Sequence, residues 1–236
     1  MIPTFIISIL ESQRNERAYQ IVKNSTLPIS IFPGVSINEV KIEGDNIYYC
    51  NELIHYNREK CLNLHNRLLS PGEIGCALSN YKLYQTCVQQ NLSAILILED
   101  DFEFTTTETE ICEILDNLPD PSNFDLCYVQ TSPPDKYPKI KPYNKYFYQT
   151  DRAYARTHGY IITNRFAREI LKSFELHSAA DGYLARKTQN DSSYVVYVSY
   201  QRFVGLSTLA QESDIERVNS RASLDNSDIF SARRLG

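Results

Sequence analysis

The chain has 236 residues, 42 % of them apolar, and a formal net charge of −5. That length suits one α/β domain with a core that needs no disulfide or metal staple. The acidic balance, with no basic helix interleaved with aromatics, argues against nucleic acid as a partner, and no stretch reaches the roughly 20 apolar residues of a membrane span.

The apolar opening, Met1 to Leu10, lacks a basic leader and a cleavage site, so it reads as a strand and the chain as cytoplasmic. Six cysteines, at 50, 61, 76, 87, 112 and 127, form no Cys-x-x-Cys pair and are expected to be buried thiols. There are 17 tyrosines and no tryptophan; tyrosine suits contacts to sugars and bases, although most such side chains simply pack.

Taken in order, Thr4 to Leu10 reads as a buried strand, followed by a helix to about Lys23 and a second strand, Ile29 to Phe32. Residues 36–69 are polar and irregular, with one helix expected around Glu52 to Leu62. Ser70-Pro71-Gly72-Glu73 is a capping box with proline at the first helical position. The apolar spacing behind it carries a helix to about Gln90. Ala94 to Leu98 is a fully buried strand, expected to be central and parallel, and it ends abruptly in Glu99-Asp100-Asp101. A helix at Glu108 to Asn117 and a strand at Phe124 to Gln130 follow. Thr131 to Tyr148, rich in Pro, Lys and Tyr, reads as a long loop of functional type. Gly159 to Thr163 is a strand, and Asn164 is expected to cap the next helix. Ser178 is expected to cap a short helix to about Lys187, and Tyr194 to Val198 is the last strand. Residues 1–206 thus make one domain, and 207–236 a polar tail that is disordered or orders on binding. The tail's Arg233-Arg234 pair is too short to anchor a membrane alone.

Three successive carboxylates after a buried strand repel one another and have no stability rationale. In open α/β sheets ligands bind beyond the carboxyl ends of the strands. Carboxylates there suit a hard divalent cation shared with substrate phosphates; the bland alternative is a solvated turn. Arg14 and Arg17 follow the first strand at the mouth of the same crevice, and a guanidinium matches phosphate geometry. A solvated helix face is the favoured reading of Arg17. Ser8, small and near the strand end, leaves room for a base against the backbone. Ser79 and Asn80 lie where a helix face can meet a donor sugar. Ser70 and Glu73 read as capping residues. His158 can complete a metal shell, but a lone histidine is more often structural.

Leu69-Ser70-Pro71-Gly72-Glu73-Ile74-Gly75-Cys76-Ala77-Leu78-Ser79, followed by Ile95-Leu96-Ile97-Leu98-Glu99-Asp100-Asp101, resembles glycosyltransferase family 25. The opening strand with Arg14 and Arg17 resembles that family's start. The family comprises lipopolysaccharide and lipooligosaccharide transferases of bacteria, mostly galactosyltransferases, related to collagen galactosyltransferases. The resemblance implies a GT-A-type α/β fold with a mostly parallel central sheet flanked by helices. It also implies a UDP-sugar donor, an Asp-x-Asp-like motif, Mn2+ or Mg2+, and inversion at the anomeric carbon. On this chain Asp101 and Glu99 take the metal-binding positions, and Glu99 or Asp100 faces the ribose or holds the loop. Ser8, Arg14, Ser79 and Asn80 complete the donor side. Asp181 resembles the acidic position of the general base, although Ser178-x-x-Asp181 is itself a capping-box pattern. Asn80 stands where the family usually has histidine, and Glu99 where it has aspartate. The implied acceptor is an oligosaccharide or lipid-linked glycan, which leaves open peripheral contact with the inner face of the bacterial inner membrane. Acceptor contacts are expected from the 131–148 loop and the tail. The competing readings are a weakened sugar-nucleotide-binding protein and a metal-dependent nucleotide-sugar hydrolase.

Overall fold

A computed structural model describes residues 1–10, 12–130, 140–151 and 158–207. The elements are β1 (Thr4–Ser8), α1 (Gln13–Asn24), β2 (Ile29–Pro33), β3 (Lys41–Glu43), β4 (Asn46–Tyr49), β5 (Glu52–His55), α2 (Arg58–His65) and α3 (Pro71–Gln89). They continue with β6 (Ala94–Glu99), β7 (Phe102–Phe104), α4 (Glu108–Asp116), β8 (Leu126–Tyr128), β9 (Ile140–Pro142), β10 (Phe147–Thr150) and β11 (Gly159–Thr163). The last are α5 (Asn164–Lys172), α6 (Ala180–Asn190), β12 (Val196–Ser199) and β13 (Val204–Leu206).

The eight-stranded central sheet has the order β2-β1-β6-β11-β8-β12-β10-β9. The pairings make β2, β1, β6, β8, β12 and β9 point one way, with only β11 and β10 reversed. β6 shows why the sheet lies in the middle of the molecule. Side chains alternate across a strand, and both of its faces are apolar. Ala94, Leu96 and Leu98 join Ile6, Ala18, Ile111 and Phe124 under α1 and α4. Ile95 and Ile97 join Leu83, Tyr84, Phe166 and Leu184 under α3, α5 and α6. The result is the expected α/β class, a mostly parallel sheet flanked by helices, with β6 bonded in parallel to β1 and antiparallel to β11.

Several elements differ from the sequence reading, each for a local reason. The helix expected from Glu52 begins only at Arg58, because residues 41–55 form a three-stranded meander. Its tight turn, Cys50-Asn51, has both residues at positive φ, 48° and 63°, the geometry of the hairpin turn that matches strand twist. Ile47 and Ile54 of the meander pack with Cys61, Ile74 and Leu78 in a third cluster against α3. Residues 140–148, read as loop, carry β9 and the first half of β10, while 131–139 lie outside the described residues, as do 208–236 of the expected tail. Thr163, not Asn164, caps α5, accepting from Phe166 N. Asn164 Nδ2 instead donates to the carbonyls of Cys87 and Leu92, tying α5 to the end of α3. All six cysteines are free; Cys61, Cys87 and Cys127 are buried, but Cys50 is exposed. Among the described residues no helix is long and apolar enough to cross a membrane.

Candidate functional site

β1 and β6 run in parallel with Ile7 opposite Glu99, so their carboxyl ends open on the same edge of the sheet. Glu99 closes β6, and Asp100 and Asp101 make the turn into β7. The backbone of this triplet is held from three sides. Glu99 N donates to His158 O (3.2 Å), Ser207 N donates to Asp101 O (2.8 Å), and Arg17 Nη1 donates to Asp100 O (3.1 Å). The Ser207 bond continues the β7–β13 ladder past its last pair. The solvated reading of Arg17 is therefore corrected: its guanidinium grips the acidic turn and lies 5.8 Å from the Phe102 ring centroid.

The three carboxylates part into two groups. Asp100 turns toward β1 and α1, accepting from Ser8 Oγ (3.0 Å) and Arg14 Nη1 (3.3 Å). Burial pushes its carboxyl up to about 6, against the opposite pull of Ser8 and Arg14. Ser8 itself is buried. Of the two roles the resemblance offered Asp100, these bonds are those of a residue that holds the loop.

Glu99 and Asp101 turn toward His158. Its Nδ1 lies 3.0 Å from Glu99 Oε2 and 3.6 Å from Asp101 Oδ1, and Arg14 Nη1 lies 3.7 Å from Asp101 Oδ2. Burial alone would lower the imidazole pKa and raise that of Asp101. Mutual attraction outweighs it, lifting His158 to about 9 and holding Asp101 below the usual carboxylate range. At 3.6 Å the His158 contact is too long for a hydrogen bond, so Asp101 Oδ1 is buried without a hydrogen-bond partner. Ligand-type atoms of Glu99, Asp101 and His158 all lie within 4.8 Å of one another. Carboxylate oxygens and an imidazole nitrogen are a donor set for a divalent ion such as Mn2+, and the orphaned Oδ1 supplies a ready lone pair. These residues fit the cation that the resemblance implies.

The other expected residues are placed differently. Ser79 is buried in α3; its hydroxyl accepts from Val35 N (2.8 Å) and donates to Gly75 O (2.7 Å). It thereby clasps the segment after β2 rather than opening toward the crevice. Asn80, also buried, donates from Nδ2 to Cys76 O (2.9 Å) and accepts at Oδ1 from the Tyr160 hydroxyl (2.5 Å). Tyr160 in turn meets the Tyr84 hydroxyl at 2.6 Å. Asp181 lies in the first turn of α6, but the capping box does not form. The cap is Ala179, with no side-chain bond, while Asp181 Oδ1 accepts from Gly182 N (2.6 Å). Burial raises the Cys76 thiol pKa, and Glu99, Asp181, Asp101 and Asp100 all add to the rise, so Asp181 shares this neighbour with the triplet.

His158 is the residue whose importance the sequence understated. It lies 57 positions beyond Asp101 in the numbering, and only the antiparallel pairing of β11 with β6 brings it beside Glu99. The local sign available was its place immediately before the glycine that opens a strand.

The model of glycosyltransferase family 25, described as an LPS biosynthesis protein, matches residues 1–184. Procollagen galactosyltransferase 1 of Danio rerio is 28 % identical over 184 residues, covering 72 % of this chain and 28 % of that protein. A glycosyltransferase 25 family member of Aedes aegypti is 35 % identical over 65 residues, 27 % of this chain and 11 % of the relative. This chain thus spans less than a third of the length of either relative. The crystal structure of A197 from STIV overlaps 88 % of this chain and 95 % of that one at 12 % identity, with a TM-score of 0.42, too low to carry an argument. With most of its length matched and the acidic turn built as described, the chain belongs to glycosyltransferase family 25.

Proposed function

We propose that this protein is an inverting glycosyltransferase that moves galactose from a UDP-sugar to a saccharide acceptor of the lipopolysaccharide or lipooligosaccharide type. The observation that carries the reading is the Glu99–Asp101–His158 cluster at the carboxyl end of β6, with a buried Asp101 Oδ1 that makes no hydrogen bond. Galactose is suggested by the name of the Danio rerio relative, and the acceptor class by the family description. A lipid-linked acceptor would bring the protein to a membrane surface.

Glu99, Asp101 and His158 would hold a divalent cation, Mn2+ or Mg2+, whose charge offsets that of a departing diphosphate. Arg14 and Ser8 fix Asp100, so the loop between β6 and β7 keeps one shape while the nucleotide enters and leaves. Asp181 is our candidate base. It takes the proton of the acceptor hydroxyl as that oxygen bonds the anomeric carbon and the bond to the diphosphate breaks. Ser79 and Asn80 support the donor side from beneath, through Val35 and Tyr160.

A donor screen tests the reading: UDP-sugars with a saccharide acceptor, with and without Mn2+, measuring free UDP. UDP-galactose should be consumed only with the metal, and Asp101→Ala should abolish both UDP release and Mn2+ affinity. If Asp101→Ala releases UDP at the wild-type rate, the reading fails. Release of UMP instead would assign the protein to the hydrolases.

A further inference from the structure

Beyond the donor crevice, the structure holds a cation that no carboxylate of the described residues neutralises at contact distance. Arg186, on α6, is partly buried, and burial lowers its pKa. Its Nη2 donates to Ser178 Oγ and lies 3.3 Å from His65 Nε2. Its Nε is buried without a partner. Among the described residues no carboxylate oxygen lies within ion-pair distance of it; Asp181 acts on it only at longer range. A partly buried guanidinium left in this state costs stability. The nearby His177 feels both Lys60 and Arg186 as charges that lower its pKa.

The local backbone is built to accept this arrangement. A Cβ at position 182 would lie 2.5 Å from Ser178 Oγ and 2.9 Å from Arg186 Nη2. Glycine there lets the guanidinium reach across the first turn of α6 to Ser178. The same turn carries Asp181, one residue before Gly182 and five before Arg186. Asp181 shares Cys76 with the acidic triplet and acts electrostatically on Arg186. The triplet does not figure among the charges that shift Arg186. Asp181 is thus the acidic group whose charge both neighbourhoods feel.

We propose that Arg186, with Ser178 and His65, is an anion subsite that binds a carboxylate or phosphate group on the acceptor saccharide. A guanidinium with unused N–H groups recognises either oxyanion by paired, charge-assisted hydrogen bonds. An acceptor held there by its acidic group presents a neighbouring hydroxyl to Asp181. The subsite rests on the transferase reading for the word acceptor, but its recognition of acidic sugars does not depend on turnover.

The test is a binding titration on the full chain in EDTA, which removes the metal route for anions. Glucuronate, glucose 6-phosphate and neutral glucose are titrated into wild type, Arg186→Gln and Arg186→Lys, followed by calorimetry or NMR. Wild type should bind at least one of the two acidic sugars roughly tenfold or more tightly than glucose. Which of them binds assigns the group as carboxylate or phosphate. Arg186→Gln should erase the preference while keeping its thermal midpoint, and Arg186→Lys should retain only part of it, since a lysine lacks the fork. If Arg186→Gln fails to fold, the lysine variant and Ser178→Ala carry the comparison. The proposal is overturned if wild type shows no preference for either acid, or if the Arg186 variants keep it. It is also overturned if the variants lose affinity for UDP alone, which would place Arg186 at the donor. A failed transfer assay beside a clear acid preference would sink the transferase reading and leave the subsite standing.

Discussion

At the scale of single residues, the site is an exercise in placing like charges together and then dividing them. Glu99, Asp100 and Asp101 are consecutive, yet Asp100 is committed to Ser8 and Arg14 while the outer pair faces His158. A charged imidazole in that position compensates the carboxylates much as a bound cation would. To coordinate Mn2+ it must first give up its proton, and His158→Gln removes that ligand nitrogen, so Mn2+ binding should weaken by about tenfold or more, measured by calorimetry, with UDP affinity in EDTA little changed. Asp181 gives a cleaner separation of roles than the sequence allowed. Because no capping box forms, Asp181→Asn should leave the urea midpoint nearly unchanged while kcat falls about a hundredfold or more. A large loss of stability with kcat intact would make it a structural residue.

At the scale of elements, α3 is the platform under the site. Ser70 and Glu73 cap its start reciprocally, Ser70 Oγ accepting from Glu73 N (3.3 Å) and Glu73 Oε2 from Ser70 N (2.8 Å). Ser70→Ala should cost about 1 kcal/mol in denaturant unfolding. Gly75 makes a different point. Alanine in a helix interior is usually worth about 1 kcal/mol over glycine. Here, though, a Cβ would sit 2.7 Å from the Val35 carbonyl oxygen. That contact is to backbone, and overpacking costs about 1–3 kcal/mol, so we expect Gly75→Ala to destabilise overall, with loosening of the segment after β2. A stabilised variant would show that α3 can slide without cost.

At the scale of the whole molecule, stability depends on the two-faced sheet and on one buried histidine remote from the acidic triplet. His177 is nearly enclosed beside Glu175, Lys60, Arg186 and the Tyr183 ring, and burial drops its pKa to about 4. The folded pKa thus lies below the unfolded value of about 6.5. The unfolded chain takes up the proton first, and stability present above pH 6.5 is lost as pH falls toward 4. The loss is on the order of 3 kcal/mol over that window. Urea midpoints at pH 7 and pH 5 should show it, and His177→Gln should flatten the slope.

The sequence alone was enough for features that local physics controls: the capping box of α3, the apolar run of β6, the acidic triplet at its end and the α/β class. Capping and strand periodicity act over a few residues, so a short window contains their cause. The positions of Ser79 and Asn80 were legible, but the partners their polar atoms would take were not. The meander at 41–55, the β7–β13 ladder, the pairing of His158 with Glu99 and the diversion of Ser178 from helix cap to Arg186 were decided only by tertiary structure. Each joins groups distant in the chain or exchanges one hydrogen bond for another of similar strength, and such choices are settled by which surfaces the folded sheet brings together.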